Sequence, residues 1–443
     1  MRRHNLRTRA GITIGLDTIL AIGGIWEVRR ARADLIKNNL IFLIVFIGLF
    51  LCGTHITTAQ VKKVSLPTVQ KAKTPGLQRG QQVQKKQESS VGTKPDNEIA
   101  EAAIKDKADA LAAQYLANGS GGVGLVIGVI DGDRRMILSY GETKRGNGQK
   151  PKTNTIFQIG SITKVFTATL LAIYAEKNVV NYNDPLQKYV PTGITVPSRD
   201  GRKISLLDLA THYSGLPKTV TTAGPTSINA AYDILENTSL LSKPGDTWAY
   251  SNLGFGFLAL AVADSASAPG WASLVEKDIA KPLNLVDTTI DLNAAQTQRR
   301  AQGYNKTGNS TQSAMPGWPG LGGAGQLYST PDDMMKFLSF NMGLTQTPLN
   351  SILPDLQKSW RPITGKTRKF QGLGWQIVET KTRTLWKNGG TPGFRSYIAF
   401  CKAKKSGVFV LSNSLQLNST DLGQELLGFL TGDPLPSAGT PDE

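Results

Sequence analysis

Ser161-Ile162-Thr163-Lys164 sets a hydroxyl and an ammonium three positions apart at what reads as the start of a helix. Residues i and i+3 share one face of a helix, so the lysine can reach the serine oxygen. The positive helix end favours negative charge developing there. A serine held this way can be activated without histidine. Alone the pattern is weak, since a chain of 443 residues contains such a pair by chance, as an exposed serine and a surface lysine. Two further groups follow in order. Tyr250-Ser251-Asn252 comes 89 positions later, in a turn-like stretch before an apolar helix, and Lys387-Asn388-Gly389-Gly390 comes 137 positions after that, on a strand-like run. Each has a bland reading beside the chemical one: Tyr250 as a core tyrosine, Asn252 as a helix cap and Lys387 as a solvated strand residue. His212 invites a Ser-His-Asp triad, but no GxSxG elbow accompanies it, and it reads as a structural turn residue.

The elements around these groups follow from periodicity and turn chemistry. An Ala-rich, helix-favouring stretch runs from Glu98 to Asn118. Two β-rich runs, Val123 to Ile130 and Arg135 to Tyr140, flank Asp131-Gly132-Asp133 and predict an antiparallel hairpin. Gly119 to Gly124 matches GxGxxG, but it precedes a strand where a dinucleotide site would follow one, so no nucleotide cofactor is expected. Ser161 to Lys177 predicts a helix with an apolar face at Val165, Leu170, Leu171 and Tyr174. Ser205 to Ala210 and Leu253 to Ser265 also read as helical, and Thr330-Pro331-Asp332-Asp333 opens another helix with a cap, a proline and two acids. Strands are expected at Gly374 to Thr380, Thr384 to Lys387, Phe394 to Lys402 and Gly407 to Leu411, with a closing helix at Ser419 to Leu430. Strands at both ends and helices between imply an α+β fold: one antiparallel sheet joined from the two chain ends and flanked by helices, plus a mainly helical lobe.

Outside that region the composition changes. Residues 40–53 are an unbroken apolar run behind Lys37, Arg29, Arg30 and Arg32, and Thr57-Thr58-Ala59 follows. At 14 residues the run is short for a span of about 20, so residues 1–59 are expected to be a leader with a signal peptide, or else a membrane anchor. Residues 60–97, rich in Lys, Gln, Thr, Ser and Pro, are expected to form a basic flexible tether. Residues 98–435 would then be the catalytic domain and 436–443 a tail. The net charge of +17 sits largely in the first two segments, which argues against a nucleic-acid-binding face and for attraction to anionic membrane or wall. Cys52 falls in the apolar run, so removing it leaves Cys401 alone and no internal disulfide. With three histidines and two cysteines there is no ligand set for zinc, and no metal or cofactor is expected.

The ordered trio resembles the class C β-lactamase and penicillin-binding serine hydrolase family, whose SxxK, YxN and KTG-like elements occur in this sequence order. Ile204 to Pro217, Lys281 to Leu285, Gly325 to Pro331 and Gly372 to Trp375 resemble family segments too, so the likeness spans residues 100 to 430. Ile130 to Arg135, Ser139 to Thr143 and Gly146 to Gln149 are most similar to the AmpH-type D-alanyl-D-alanine carboxypeptidase/endopeptidases. The resemblance implies the β-lactamase/transpeptidase-like fold and a set of roles. Ser161 attacks a carbonyl next to a D-alanine-like group, or a β-lactam carbonyl, to give an acyl-enzyme. Lys164 and Tyr250 share the proton traffic, Tyr250 being the better base if neighbouring ammonium groups lower its pKa. Asn252 holds Lys164 and the substrate amide, and Lys387 adds positive charge near Tyr250 and the substrate carboxylate. The backbone NH groups of Ser161 and Gly390 form the oxyanion hole, each donor worth about 3 kcal/mol in well-studied cases. Asn388, Gly389 and Thr391 line the substrate. Asn388 departs from the family's usual Thr or Ser, exchanging a hydroxyl for an amide. The implied substrates are peptidoglycan peptides or β-lactams, met in the periplasm after export, with residues 40–53 able to associate with the membrane. A β-lactamase or small-ester hydrolase uses the same acyl-enzyme, and a non-catalytic penicillin-binding or wall-binding protein could use the same fold; all three readings stay open at this point.

Overall fold

Apolar runs from the two ends of the chain pair into one eight-stranded antiparallel sheet. In chain order its strands are β1 (Leu125–Asp131), β2 (Arg134–Tyr140), β3 (Arg361–Pro362), β4 (Lys369–Gln371), β5 (Gln376–Glu379), β6 (Arg383–Thr391), β7 (Phe394–Cys401) and β8 (Ser406–Ser412). Their order across the sheet is β2-β1-β8-β7-β6-β5-β4-β3. The ends meet where β1 lies on β8, in register from Leu125 opposite Ser412 to Asp131 opposite Ser406. Both strands are buried along their whole length, which is why they read as continuous apolar runs rather than as alternating ones. The computed structural model describes residues 99–118, 123–219, 225, 227–311 and 321–435, all within one compact unit. The expected leader (1–59), tether (60–97), tail (436–443) and most of the GxGxxG segment lie outside the described residues, as does the apolar run 40–53. Among the described residues no helix is long and apolar enough to cross a membrane.

Two helices, α1 (Glu101–Asn118) and a C-terminal one, Ser419–Thr431, cover one face of the sheet. Ile104, Ala108 and Leu111 of α1 pack with Leu422 and Leu426 on Leu125, Ile127, Val129, Val408 and Val410. The opposite residues of the same strands, Val126, Ile130, Phe409 and Leu411, face the helical middle of the chain. The main core lies there. Its central helix, α2 (Thr163–Glu176), is buried from Thr163 to Tyr174. An amphipathic helix with one apolar face was expected. The burial is complete because the small and hydroxylated residues Thr163, Thr167, Ala168, Thr169 and Ala172 let neighbouring segments approach the other faces as well.

The helices around α2 carry their own start signals. In α3 (Leu206–Ala210) Ser205 accepts from the Asp208 N–H, and the Asp208 carboxylate accepts from the Ser205 N–H in return. The buried Asp208 is also paired with Arg361 at 2.7 Å. At the start of α4 (Asn252–Ser265) the cap is Ser251, which accepts from Gly254 N–H at 2.8 Å. Asn252 is therefore the first helical residue and not the cap, which frees its amide for other work. Thr330 caps α5 (Pro331–Asn341), as the sequence predicts, and the Ser419–Thr431 helix is α6.

Two differences from the sequence reading bear on the site. The helix expected from Ser161 begins at Thr163, and Gly160–Ile162 forms a separate 3-10 turn before it. The strand expected to stop at Lys387 continues to Thr391, with Asn388 opposite Tyr397 and Thr391 opposite Phe394. Two consecutive glycines hid that continuation, since glycine weakens a strand signal without preventing the ladder.

Candidate active site

The three segments singled out by chemistry converge around Ser161 and Tyr250. Lys164 Nζ lies 3.1 Å from Ser161 Oγ, and the Tyr250 hydroxyl lies 2.7 Å from the same oxygen. Lys164 is wholly buried. Its ammonium donates to three acceptors, adding Asn252 Oδ1 at 2.7 Å and the Ala324 carbonyl at 2.5 Å to Ser161 Oγ. An ammonium has three protons, so this cage offsets much of the cost of burying it. The Ala324 carbonyl is itself tied to α2. Thr167 donates to the neighbouring Gly323 carbonyl at 2.7 Å, and the Leu327 N–H donates to Thr163 Oγ1 at 3.2 Å. Thr163, Lys164 and Thr167 thus present hydroxyl, ammonium and hydroxyl to one passing segment.

Lys387 is buried in β6 and brings the second ammonium to 5.3 Å from the centre of the Tyr250 ring; Lys164 Nζ lies 4.8 Å from that centre. The Tyr250 ring thus has two positive charges within 5.3 Å of its centre. Lys387 also donates to the Asn388 carbonyl at 3.0 Å and to Asn388 Oδ1 at 3.1 Å. With its oxygen engaged this way, the Asn388 amide keeps its NH2 as a donor. Thr391 is buried at the end of β6, and its hydroxyl has no hydrogen-bond partner among the described residues.

Backbone contact fixes where β6 meets the nucleophile. Gly160 has φ +49, a conformation that favours glycine, and a Cβ there would stand 2.6 Å from the Gly390 nitrogen. A Cβ on Gly389 would stand 2.2 Å from the Ile159 carbonyl oxygen and 2.9 Å from the Ser161 nitrogen. Ser396 donates to the same Ile159 carbonyl at 2.8 Å. The Ser161 and Gly390 nitrogens therefore belong to one tight seam that only glycine allows, beside the hydroxyl that would attack.

His212 is part of this assembly. It follows α3 with φ +61, its ring is buried, and it packs on Tyr250 at a 39° tilt with ring centres 4.4 Å apart. Burial first, then the charges of Lys164 and Lys387, hold its imidazole well below the ordinary histidine value. A neutral ring suits its hydrogen bond, because Nδ1 accepts from the Ser251 N–H at 3.1 Å. The sequence reading of a turn residue fits the backbone but omits the phenol it supports. Nor did the sequence point to Ala324, which contributes a carbonyl; main-chain groups leave no mark on residue type.

A sequence family described as Beta-lactamase matches residues 108–432. The D-alanyl-D-alanine-carboxypeptidase/endopeptidase AmpH of Escherichia coli (strain K12) is 32% identical over 349 residues, covering 72% of this chain and 88% of that protein. A Beta-lactamase of Psychrobacter immobilis is 28% identical over 366 residues, covering 72% of this chain and 84% of the other. Among solved structures, a Beta-lactamase/D-alanine Carboxypeptidase from Yersinia pestis complexed with citrate superposes with a TM-score of 0.64 at 28% identity, over 75% of this chain and 100% of that one.

Proposed function

The chain belongs to the beta-lactamase family of serine hydrolases, and on that basis we propose that it is a D-alanyl-D-alanine carboxypeptidase/endopeptidase that works through an acyl-enzyme on Ser161. One observation carries the reading: Ser161 Oγ has a phenol at 2.7 Å and an ammonium at 3.1 Å, both on residues whose spacing matched the family pattern. The likeness to the AmpH carboxypeptidase/endopeptidase over most of both chains directs the choice of substrate.

Each step follows from a group in place. The Ser161 proton moves to Tyr250, whose phenolate form is favoured by the Lys164 and Lys387 charges. Ser161 Oγ attacks the carbonyl of the penultimate D-alanine, and the Ser161 and Gly390 N–H groups receive the oxyanion. The C–N bond breaks as Tyr250 returns the proton to the leaving D-alanine nitrogen. Water then attacks the ester by the reverse proton path and frees Ser161. Asn252 keeps Lys164 aimed and meets the substrate amide, while Lys387 and the NH2 of Asn388 bind the terminal carboxylate, with Gly389 and Thr391 along the same edge. A β-lactam presents the same carbonyl and carboxylate, so penicillin should acylate Ser161 as well. Because the substrate lies in the cell wall, the protein acts after export to the periplasm; the apolar run 40–53 behind its basic residues supports that placement and an association with the inner membrane.

Fluorescent penicillin, muropeptides and a chromogenic cephalosporin test the reading together. The wild-type protein should be labelled covalently and Ser161→Ala should not. Release of D-alanine from pentapeptide muropeptides without rapid cephalosporin turnover is the expected result. Rapid cephalosporin turnover with no D-alanine release would instead make the protein a β-lactamase, and labelling with neither turnover a penicillin-binding protein that does not cut.

A further inference from the structure

We propose that His212 is a positioning residue for Tyr250, holding the phenol on Ser161 through a clamp on the backbone to either side of it. The inference rests on the proposed part of Tyr250 in acylation. Tyr250 lies on a loop between Gly245 and the start of α4, and a loop does not by itself hold a phenol to a tenth of an ångström. His212 supplies the missing fixity from both sides. Its carbonyl accepts from the Ala249 N–H at 2.8 Å, and its Nδ1 accepts from the Ser251 N–H at 3.1 Å. The residue before Tyr250 and the residue after it are thus both hydrogen-bonded to one amino acid. The ring of the same residue lies 4.4 Å from the Tyr250 ring and 4.9 Å from that of Phe255, and Trp248 meets it edge-on at 6.0 Å.

Two features suit histidine to this place. The backbone is left-handed at φ +61, set by the end of α3, where the His212 N–H donates to the Leu209 carbonyl. The clamp also needs an acceptor where Nδ1 stands, so the ring must be neutral with its proton on Nε2. The charged groups acting on the imidazole are Lys164 and Lys387, both positive, and with burial they keep it neutral. His212 therefore gives no proton to the reaction. Its work is to keep the phenol on the serine and close to the two ammonium groups.

Asparagine makes the discriminating substitution, because its Oδ1 falls near the place of Nδ1 and it tolerates a left-handed backbone better than most residues. Glycine accepts the backbone but removes both acceptor and ring. His212→Gly should slow penicillin acylation at least about tenfold, with the prior non-covalent Kd held within about twofold, because a misplaced group costs rate more than binding. His212→Asn should stay within about threefold of wild type in both rate and Kd. Thermal melts of each variant confine the comparison to folded protein. Wild-type acylation in folded His212→Gly would overturn the proposal, and so would His212→Asn being as slow as His212→Gly. Tyr250→Phe separates the two layers: wild-type acylation there removes Tyr250 from the mechanism, whereas slow Tyr250→Phe beside normal His212→Gly removes only the clamp.

Discussion

Lys164 is a fully buried cation, and the way it is satisfied decides what its loss will do. Its three acceptors come from three separate stretches, at Ser161, Asn252 and Ala324. Replacing it with alanine removes the ammonium from the nucleophile and leaves the Asn252 oxygen and the Ala324 carbonyl without that donor. We expect Lys164→Ala to slow acylation at least about 100-fold, the usual scale for losing a general base or its immediate support. A buried group stripped of its partner costs about 1–3 kcal/mol, so a lower melting temperature should accompany the slower rate. Stopped-flow acylation and a thermal melt measure the two effects separately. Acylation near the wild-type rate would take the lysine out of the mechanism. Ser161, Lys164, Tyr250 and Lys387 were legible in the sequence because each contributes a side-chain group of distinctive chemistry at a recognisable spacing. Ala324 was not, because its contribution is a carbonyl 160 residues away from the lysine it receives. His212 was visible as a residue type but not as a support, since what it holds is the main chain of residues 249 and 251.

At the scale of elements, the site is a seam between the edge of a turn and the edge of a strand. β6 reaches the Ile159–Ser161 backbone because residues 160 and 389 have no side chains to keep the chains apart. Gly389→Ala would put a methyl group 2.2 Å from the Ile159 oxygen and 2.5 Å from Ser396 Oγ, closer than such atoms approach. Backbone must move, and overpacking of this kind costs about 1–3 kcal/mol. The same movement parts the Ser161 and Gly390 nitrogens. Loss of one oxyanion donor costs about 100- to 1,000-fold in kcat, so Gly389→Ala should lose kcat well beyond what its melting temperature explains. A folded Gly389→Ala enzyme with normal kcat would show that the seam does not set the oxyanion geometry. Strand and helix identities here were largely legible, because β1, β7 and β8 are long apolar runs and α3, α4 and α5 have hydroxyl caps. The edge strand β3 and its neighbour β4 were not, being two and three residues long and too short to display any period. The 3-10 turn at Ser161 was likewise hidden, since Ser-x-x-Lys spacing suits a helix and a tighter turn equally.

At the scale of the whole molecule, β1 and β8 join the sheet from positions 275 to 287 residues apart, so the helical middle that carries Ser161 and Tyr250 is held between two segments that must find each other. α1 belongs to that closure. Ile104, Ala108 and Leu111 seal the face of β1 and β8 that points away from the site, together with Leu422 and Leu426 of α6. A buried Leu or Ile contributes about 2–5 kcal/mol when truncated, and a domain has about 5–15 kcal/mol in total, so the sheet cannot spare this helix. A chain beginning at residue 98 should therefore melt and label with penicillin as the full chain does, and one beginning at residue 123 should do neither. The first 97 residues carry 16 of the 50 Lys and Arg and 5 of the 33 Asp and Glu, which is 11 of the 17 net positive charges. Removing them should leave acylation unchanged while abolishing most of the salt-sensitive binding to anionic vesicles, since that attraction follows net charge and is screened by ions. Full-rate labelling by the chain that starts at 123 would detach α1 from the cooperative fold. Undiminished vesicle binding by the chain that starts at 98 would instead move the basic surface onto the catalytic domain itself.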